Sequence, residues 1–128
     1  MDSDSRQVWL SIGSNHADAD RFVAEAARRL QTILSSWKMC APYTTPAING
    51  IDPDYLNAVA VGYWSGDEEL LNDICKKIES EMGRSHDKSH HTVEIDIDVV
   101  CFDEKVVRPV DFSREYFARG FKALSGDC

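Results

Sequence analysis

The chain has 128 residues, 43% hydrophobic and 28% charged, with 14 Lys and Arg against 22 Asp and Glu for a net charge of −8. This fits one globular domain over residues 1–128 and excludes a fibrous or low-complexity chain. The acidic balance argues against non-specific nucleic-acid binding and against an anionic membrane surface. It leaves room for a phosphorylated small molecule where local cations and bound Mg²⁺ reverse the field.

Cys40, Cys75, Cys101 and Cys128 show no C-x-x-C spacing. No disulfide framework is expected, and a reducing compartment is. Residues Met1-Asp2-Ser3-Asp4-Ser5 lack an apolar signal core, and no run reaches the roughly 18 apolar residues of a membrane span. The expectation is a soluble, cytoplasmic protein; its oligomeric state is not legible.

Val8, Leu10 and Ile12 alternate with Trp9 and Ser11, predicting a first strand that stops at the turn signal Gly13-Ser14-Asn15. Asp18 or Asp20 is positioned to cap a helix through its carboxylate. Phe22, Val23, Ala26, Ala27, Leu30, Ile33 and Leu34 then recur at helical spacing. Trp37 to Tyr43 predicts a weak strand broken by Pro42, and Thr44 to Pro53 reads as loop. Tyr55 to Trp64 predicts a strand with Leu56, Ala58 and Ala60 on one face and Tyr55, Asn57, Val59, Val61 and Tyr63 on the other.

Ser65-Gly66-Asp67-Glu68 has the form of a capping box. The helix it opens would bury Leu70, Leu71, Ile74, Cys75, Ile78 and Met82 and end at Gly83. Arg84 to His91 is polar and reads as an exposed loop. An acidic strand follows to Phe102, then a turn at Asp103-Glu104-Lys105 and a short return strand at Val106-Val107. The tail from Pro109 reads as loop with a helical turn. The order β-α-β-β-α-β predicts an α+β, ferredoxin-like fold, an antiparallel sheet with two helices packed on one face.

The acidic strand concentrates the chemistry. Val93, Ile95, Ile97 and Val99 alternate with Glu94, Asp96 and Asp98. Carboxylates two positions apart on a strand lie roughly 7 Å apart and repel unless water or a cation screens them. The plain reading is a solvated strand face. The functional reading is Mg²⁺ held by Asp96 and Asp98, since Mg²⁺ takes one or two carboxylates and completes its shell with water and phosphates. Glu94 is either a third ligand or simply exposed. Glu79 and Arg84 flank the second helix end: by spacing alone a surface Glu and a helix-end Arg, functionally a phosphate clamp at Arg84. His86, His90 and His91 form only a weak transition-metal signal. Strand aromatics such as Tyr55 are ordinarily core.

With these residues in view, the chain resembles the 6-hydroxymethyl-7,8-dihydropterin pyrophosphokinase family of folate biosynthesis. The resemblance rests on six segments in the family's order. These are Ile12-Gly13-Ser14-Asn15, Tyr43-x-Thr45-Pro46, Asp54-Tyr55-Leu56-Asn57-Ala58, Ile78-Glu79 with Gly83-Arg84, Ile95-Asp96-Ile97-Asp98, and Arg119-Gly120-Phe121. It implies diphosphoryl transfer from ATP to the pterin hydroxymethyl oxygen, releasing AMP. By that resemblance Asp96 and Asp98 hold two Mg²⁺ ions, with Arg84 as a further catalytic residue. Tyr55 and Phe121 sandwich the pterin, whose polar edge meets Asn57 and Thr45-Pro46, with Ile48 nearby. Glu79, Arg84, Lys88, Val99 and Arg119 serve ATP.

The chain also departs from the family pattern. The loop before the acidic strand reads Ser85-His86-Asp87-Lys88-Ser89-His90-His91, with neither the Arg nor the Trp usual there. Val93 stands where the family has Arg, Glu94 where it has Thr, and Ser113-Arg114 where it has His-Pro before the C-terminal Arg. The chain is also short after Phe121. These departures motivate an alternative reading, a weakly active or inactive pterin- or nucleotide-binding relative. A third is a different phosphotransferase or metal module on the same fold.

Overall fold

Val8, Leu10 and Ile12 are fully buried, so the strand carrying them lies mid-sheet with apolar layers to cover. A computed structural model describes residues 5–84 and 92–125. Its elements are β1 (Arg6–Ser14), α1 (Ala19–Gln31), β2 (Ser35–Met39), β3 (Tyr43–Thr45), β4 (Tyr55–Trp64), α2 (Glu68–Glu81), β5 (Asp96–Phe102), β6 (Lys105–Val106), α3 (Pro109–Ser113) and α4 (Glu115–Leu124). The sheet order is β2-β4-β1-β5-β6, with β3 also pairing β4. β1 is antiparallel to both β4 and β5. With β2 and β3 as one broken edge strand, this is the split βαβ arrangement of an α+β, ferredoxin-like sheet.

The strand alternation divides the core. Val8, Leu10 and Ile12 of β1, Ala58 and Ala60 of β4, and Ile97 and Val99 of β5 pack with Val23, Ala26 and Leu30 of α1 and Leu71, Cys75 and Ile78 of α2. On the other face of the sheet a second cluster joins Val59 of β4 and Val100 and Cys101 of β5 to Cys40 and to Phe117 of α4, with Trp9, Phe112 and Phe121 packed against it. Cys40, Cys75 and Cys101 are free and buried. Burial pushes the Cys75 thiol up to about 12. Among the described residues, no helix is long and apolar enough to cross a membrane.

Several local expectations need correction. Asp18 stands at the start of α1, but its side chain caps no backbone N–H; it reaches Arg21 instead, at 3.4 Å. The capping box is displaced by competition from the better-placed Asp67, whose carboxylate accepts from Leu70 N–H at 2.8 Å. Leu70 is consequently 49% exposed, and Leu71 carries the buried stripe. The interrupted strand at Pro42 is two strands, and the second reaches into the segment expected to be loop. β5 begins at Asp96, so Val93 to Ile95 precede the ladder. The short return strand is Lys105–Val106.

The largest correction is the C-terminal tail, which forms two helices. α4 closes the sheet face opposite α1 and α2, so the fold has three layers where two were expected. Its amphipathic apolar residues have a second cluster to cover, and burial outweighs weak local propensity. Gly120 permits the close approach: a Cβ there would stand 2.5 Å from Val59 Cγ2 and 2.9 Å from the Tyr43 hydroxyl.

Candidate active site

The register of three neighbouring strands builds the floor of the site. Gly13 of β1 faces Asn57 of β4 on one side and Asp96 of β5 on the other. Strand spacing puts Asn57 and Asp96 roughly 10 Å apart across that glycine. A side chain at position 13 would start 3.3 Å from Asn57 Oδ1 and 3.6 Å from Tyr55 Cδ2, so the glycine keeps the floor flat. Above it lies a cleft of about 200 Å³. Tyr55, Ile48, Pro46 and Tyr116 supply its apolar walls, and Asn57, Thr45 and Asp96 its polar groups. An apolar slot with a few convergent polar groups is the usual form of a small-molecule site.

The polar edge is preorganised. Asn57 is 3% exposed and donates through Nδ2 to Thr45 Oγ1 at 2.7 Å, which orients its amide. The loop after Pro46 is shaped by Asn49, whose Oδ1 accepts from the Ile51 and Asp52 N–H groups. Ile48 and Ile51, 65% and 82% exposed, project from it. Burial, with Asp96 nearby, raises the Tyr55 hydroxyl above its usual range, so it stays protonated.

Asp96 and Asp98 stand together at one end of the cleft. Burial and the Asp98 carboxylate push the Asp96 pKa up to about 7, against the opposing pull of Arg84. Among the described residues, three cations face the pair. Arg84 Nη1 donates to Asp96 Oδ1 and to Glu79 Oε1, both at 2.9 Å. Lys76 Nζ lies 3.4 Å from Asp98 Oδ1 and 3.3 Å from Glu79 Oε2. Arg108 Nη1 lies 4.0 Å from Asp98. Burial works against the charge of Lys76 and of Arg84, yet Asp98, Glu79 and Asp96 raise the Lys76 pKa, and Asp96 and Glu79 that of Arg84.

Glu79 is not the surface residue that spacing suggested. Its side chain is 4% exposed, and it accepts from the backbone N–H of Ile97 at 2.6 Å. Ile97 lies between the two aspartates, so Glu79 anchors the strand segment that presents them. From the other side, Asn15 Oδ1 accepts from Val93 N–H at 2.5 Å, and Asn15 N–H donates to Val93 O at 3.1 Å. The Gly-Ser-Asn turn therefore clamps the entry to β5.

The structure thus brings together Thr45, Pro46, Ile48, Tyr55, Asn57, Glu79, Arg84, Asp96 and Asp98. It does not bring in three others. Phe121 packs tilted against Trp9 at 4.4 Å between ring centres, edge-on to Phe112 and stacked on Phe117. Arg119 lies over the Tyr43 ring at 4.8 Å. Val99 is 1% exposed in the core beneath α1 and α2. Lys88 and the histidines His86, His90 and His91 lie outside the described residues. Glu94 sits half-buried just before β5.

Sequence reasoning missed Lys76, Arg108 and Tyr116. Lys76 stands three residues before Glu79, one helical turn away on the same face, which was a usable signal. Arg108 and Tyr116 carried none, because their approach depends on the chain reversal after β6.

The donor set suits a hard divalent cation, with two carboxylates side by side. Among the described residues, no group of three or more His, Cys, Asp or Glu is placed to hold a metal ion together. Such a pair leaves coordination positions for water and phosphate oxygens, the way Mg²⁺ is usually held.

The model of the 7,8-dihydro-6-hydroxymethylpterin-pyrophosphokinase (HPPK) family matches residues 9–125. The chain is similar to the 2-amino-4-hydroxy-6-hydroxymethyldihydropteridine pyrophosphokinase of Aquifex aeolicus (strain VF5), 32% identical over 103 residues, 79% of this chain and 64% of that protein. It is also similar to the protein of that name from Methylorubrum extorquens (strain ATCC 14718 / DSM 1338 / JCM 2805 / NCIMB 9133 / AM1), 31% identical over 121 residues, 85% of this chain and 75% of that protein. The chain therefore spans about two thirds to three quarters of the length of these curated relatives. On the match over residues 9–125 and these two similarities, the chain belongs to the 7,8-dihydro-6-hydroxymethylpterin-pyrophosphokinase family.

Proposed function

We propose that this protein transfers the terminal diphosphate of ATP to the hydroxymethyl oxygen of 6-hydroxymethyl-7,8-dihydropterin, releasing AMP, with Mg²⁺ at Asp96 and Asp98. The observation that carries this reading is the row Asn57-Gly13-Asp96, which joins a flat ring slot directly to the carboxylate pair. Family membership supports the same chemistry.

The residues divide the work by chemistry. Tyr55 offers a ring face to a flat heterocycle, with Pro46, Ile48 and Tyr116 closing the slot. Asn57 and Thr45 meet the polar edge of that ring, which fixes which end of the pterin points at Asp96. Two Mg²⁺ ions at Asp96 and Asp98 would neutralise charge on the ATP phosphates, which is most of what phosphoryl transfer asks of a site. Arg84 stands beside the pair as a guanidinium clamp, and Glu79 holds both that Arg and the strand in place. Lys76 and Arg108 add positive charge on the side of Asp98. Lys88 completes the proposed nucleotide contacts, whereas Phe121 and Arg119, held by α4 against Trp9 and Tyr43, and the buried Val99 take no part in them.

Incubation with ATP, Mg²⁺ and the hydroxymethyl-dihydropterin should release AMP and the pterin diphosphate in equal amounts. No AMP above an enzyme-free control, at micromolar enzyme, overturns the reading. Calorimetric binding of the pterin without AMP release would instead favour a non-catalytic binding relative. The observation favouring that second reading is Val93: its backbone serves Asn15, and its side chain brings no positive charge.

A further inference from the structure

Asp98 is 13% exposed and keeps little water of its own, so something must balance its charge when no metal is bound. The cations around the pair differ in how free they are to leave. Arg84 is fastened by two 2.9 Å bonds to Glu79 and Asp96. Arg108 is held at 2.5 Å by Asp111 and stands 4.0 Å from Asp98, beyond hydrogen-bond range. Lys76 hydrogen-bonds Asp98 at 3.4 Å, yet its side chain is 54% exposed. A lysine is a compact charge on a flexible four-carbon stem. It also has a second seat, since Nζ reaches Glu79 Oε2 at 3.3 Å and the Ile97 carbonyl at 3.4 Å.

We propose that Lys76 is the internal counter-ion of Asp98, displaced when a divalent cation binds, and that it thereby sets the metal affinity of the nucleotide-free protein. An ammonium and a divalent cation compete for the same carboxylate lone pairs. The displaced ammonium stays tethered at Glu79, so its charge remains beside the metal and weakens it further. The inference rests on the reading of Asp96 and Asp98 as metal ligands.

The test is titration of the nucleotide-free protein with Mn²⁺ alone, reading free Mn²⁺ by electron paramagnetic resonance. Lys76→Met should bind Mn²⁺ about tenfold more tightly than the unmodified protein, with the gain shrinking at high salt. Lys76→Arg, which keeps the charge, should not tighten binding. Lys77→Met, which removes the same charge one residue along α2, should change little and so separates a local effect from a net-charge effect. Far-UV circular dichroism confirms that each variant is folded. Equal or weaker Mn²⁺ binding by Lys76→Met, with the unmodified protein binding Mn²⁺, overturns this inference alone. No Mn²⁺ binding by either protein at millimolar metal overturns the metal reading, and this inference with it.

Discussion

Replacing Glu79 is the sharpest test of how the site is held. In Glu79→Ala the buried Ile97 N–H loses its 2.6 Å acceptor, and an unsatisfied buried donor costs about 1–3 kcal/mol. Removing one partner of a buried ionic network costs about 3–5 kcal/mol when the other charge is stranded. Here it is not wholly stranded: Arg84 keeps Asp96, Lys76 keeps Asp98, and their side chains are 25% and 54% exposed. The expected loss is therefore near the lower end, about 3 kcal/mol. Glu79→Gln keeps an oxygen for Ile97 and loses the charge and the acceptor for Arg84, which still has Asp96, for about 1 kcal/mol. For a chain of this size each kcal/mol shifts Tm by roughly 3–5 °C. Calorimetry should therefore show Glu79→Ala melting about 10–15 °C lower and Glu79→Gln about 3–5 °C lower. If Glu79→Ala melted within about 2 °C of the unmodified protein, roughly a fifth of the expected drop, the buried anchoring of β5 would be refuted.

The remaining expectations concern chemistry and packing. Asp98→Ala should lower kcat by orders of magnitude while pterin affinity changes little, because metal-bound charge matters most in the transition state; steady-state kinetics with calorimetric pterin binding separates the two, and unchanged turnover would remove Asp98 from the metal site. Asp96 has its pKa raised from 3.8 to about 7 in the folded protein. Between those values the unfolded chain releases this proton first, so metal-free stability falls as pH rises through that window. Asp96→Asn should therefore melt higher than the unmodified protein at pH 7.5 and no higher below pH 3.8, the ordinary value; a stabilisation that persisted in acid would contradict the assigned cause. Tyr116→Ala, which removes a wall of the cleft, should weaken pterin binding roughly tenfold in a fluorescence titration. Phe121→Ala, which removes a ring from the α4 cluster, should cost about 3 kcal/mol of stability, read by urea denaturation. Gly120→Ala forces α4 off Val59 and should lower the urea midpoint by an amount worth about 1–3 kcal/mol.

Much of the framework was legible in the chain because short-range periodicity reports burial directly. The alternation from Tyr55 to Trp64 correctly assigned both faces of β4, and so put Tyr55 and Asn57 on one face together. The Asp-x-Asp spacing fixed two carboxylates on one side of β5 for the same reason. Local capping was misread at Ser65 because Asp67 offers a competing carboxylate one turn from Leu70, and the spacing of letters does not rank two caps. Glu79 was misread because a glutamate between Ile78 and Ser80 looks solvent-facing until a strand is laid across it. The C-terminal helices were missed because α4 exists to cover an apolar sheet face, and that face forms only when β1, β4 and β5 are paired.

The sequence by itself determined the β-α-β-β-α-β order of the central elements, the acidic pair at Asp96 and Asp98, the aromatic and amide at Tyr55 and Asn57, and, through six ordered segments, the family. Only the tertiary structure decided which of these meet. The Gly13 register brings Asn57 and Asp96 into one row, a long-range pairing that no local pattern encodes. It also decided that Lys76 and Arg108 face Asp98, that Glu79 is buried beneath Ile97, and that Phe121 and Arg119 lie with α4 against Trp9 and Tyr43. The physical reason is common to all of these. Periodicity says which side of an element is apolar, whereas charge pairing and cleft shape depend on distances between elements, and those are set when the layers close.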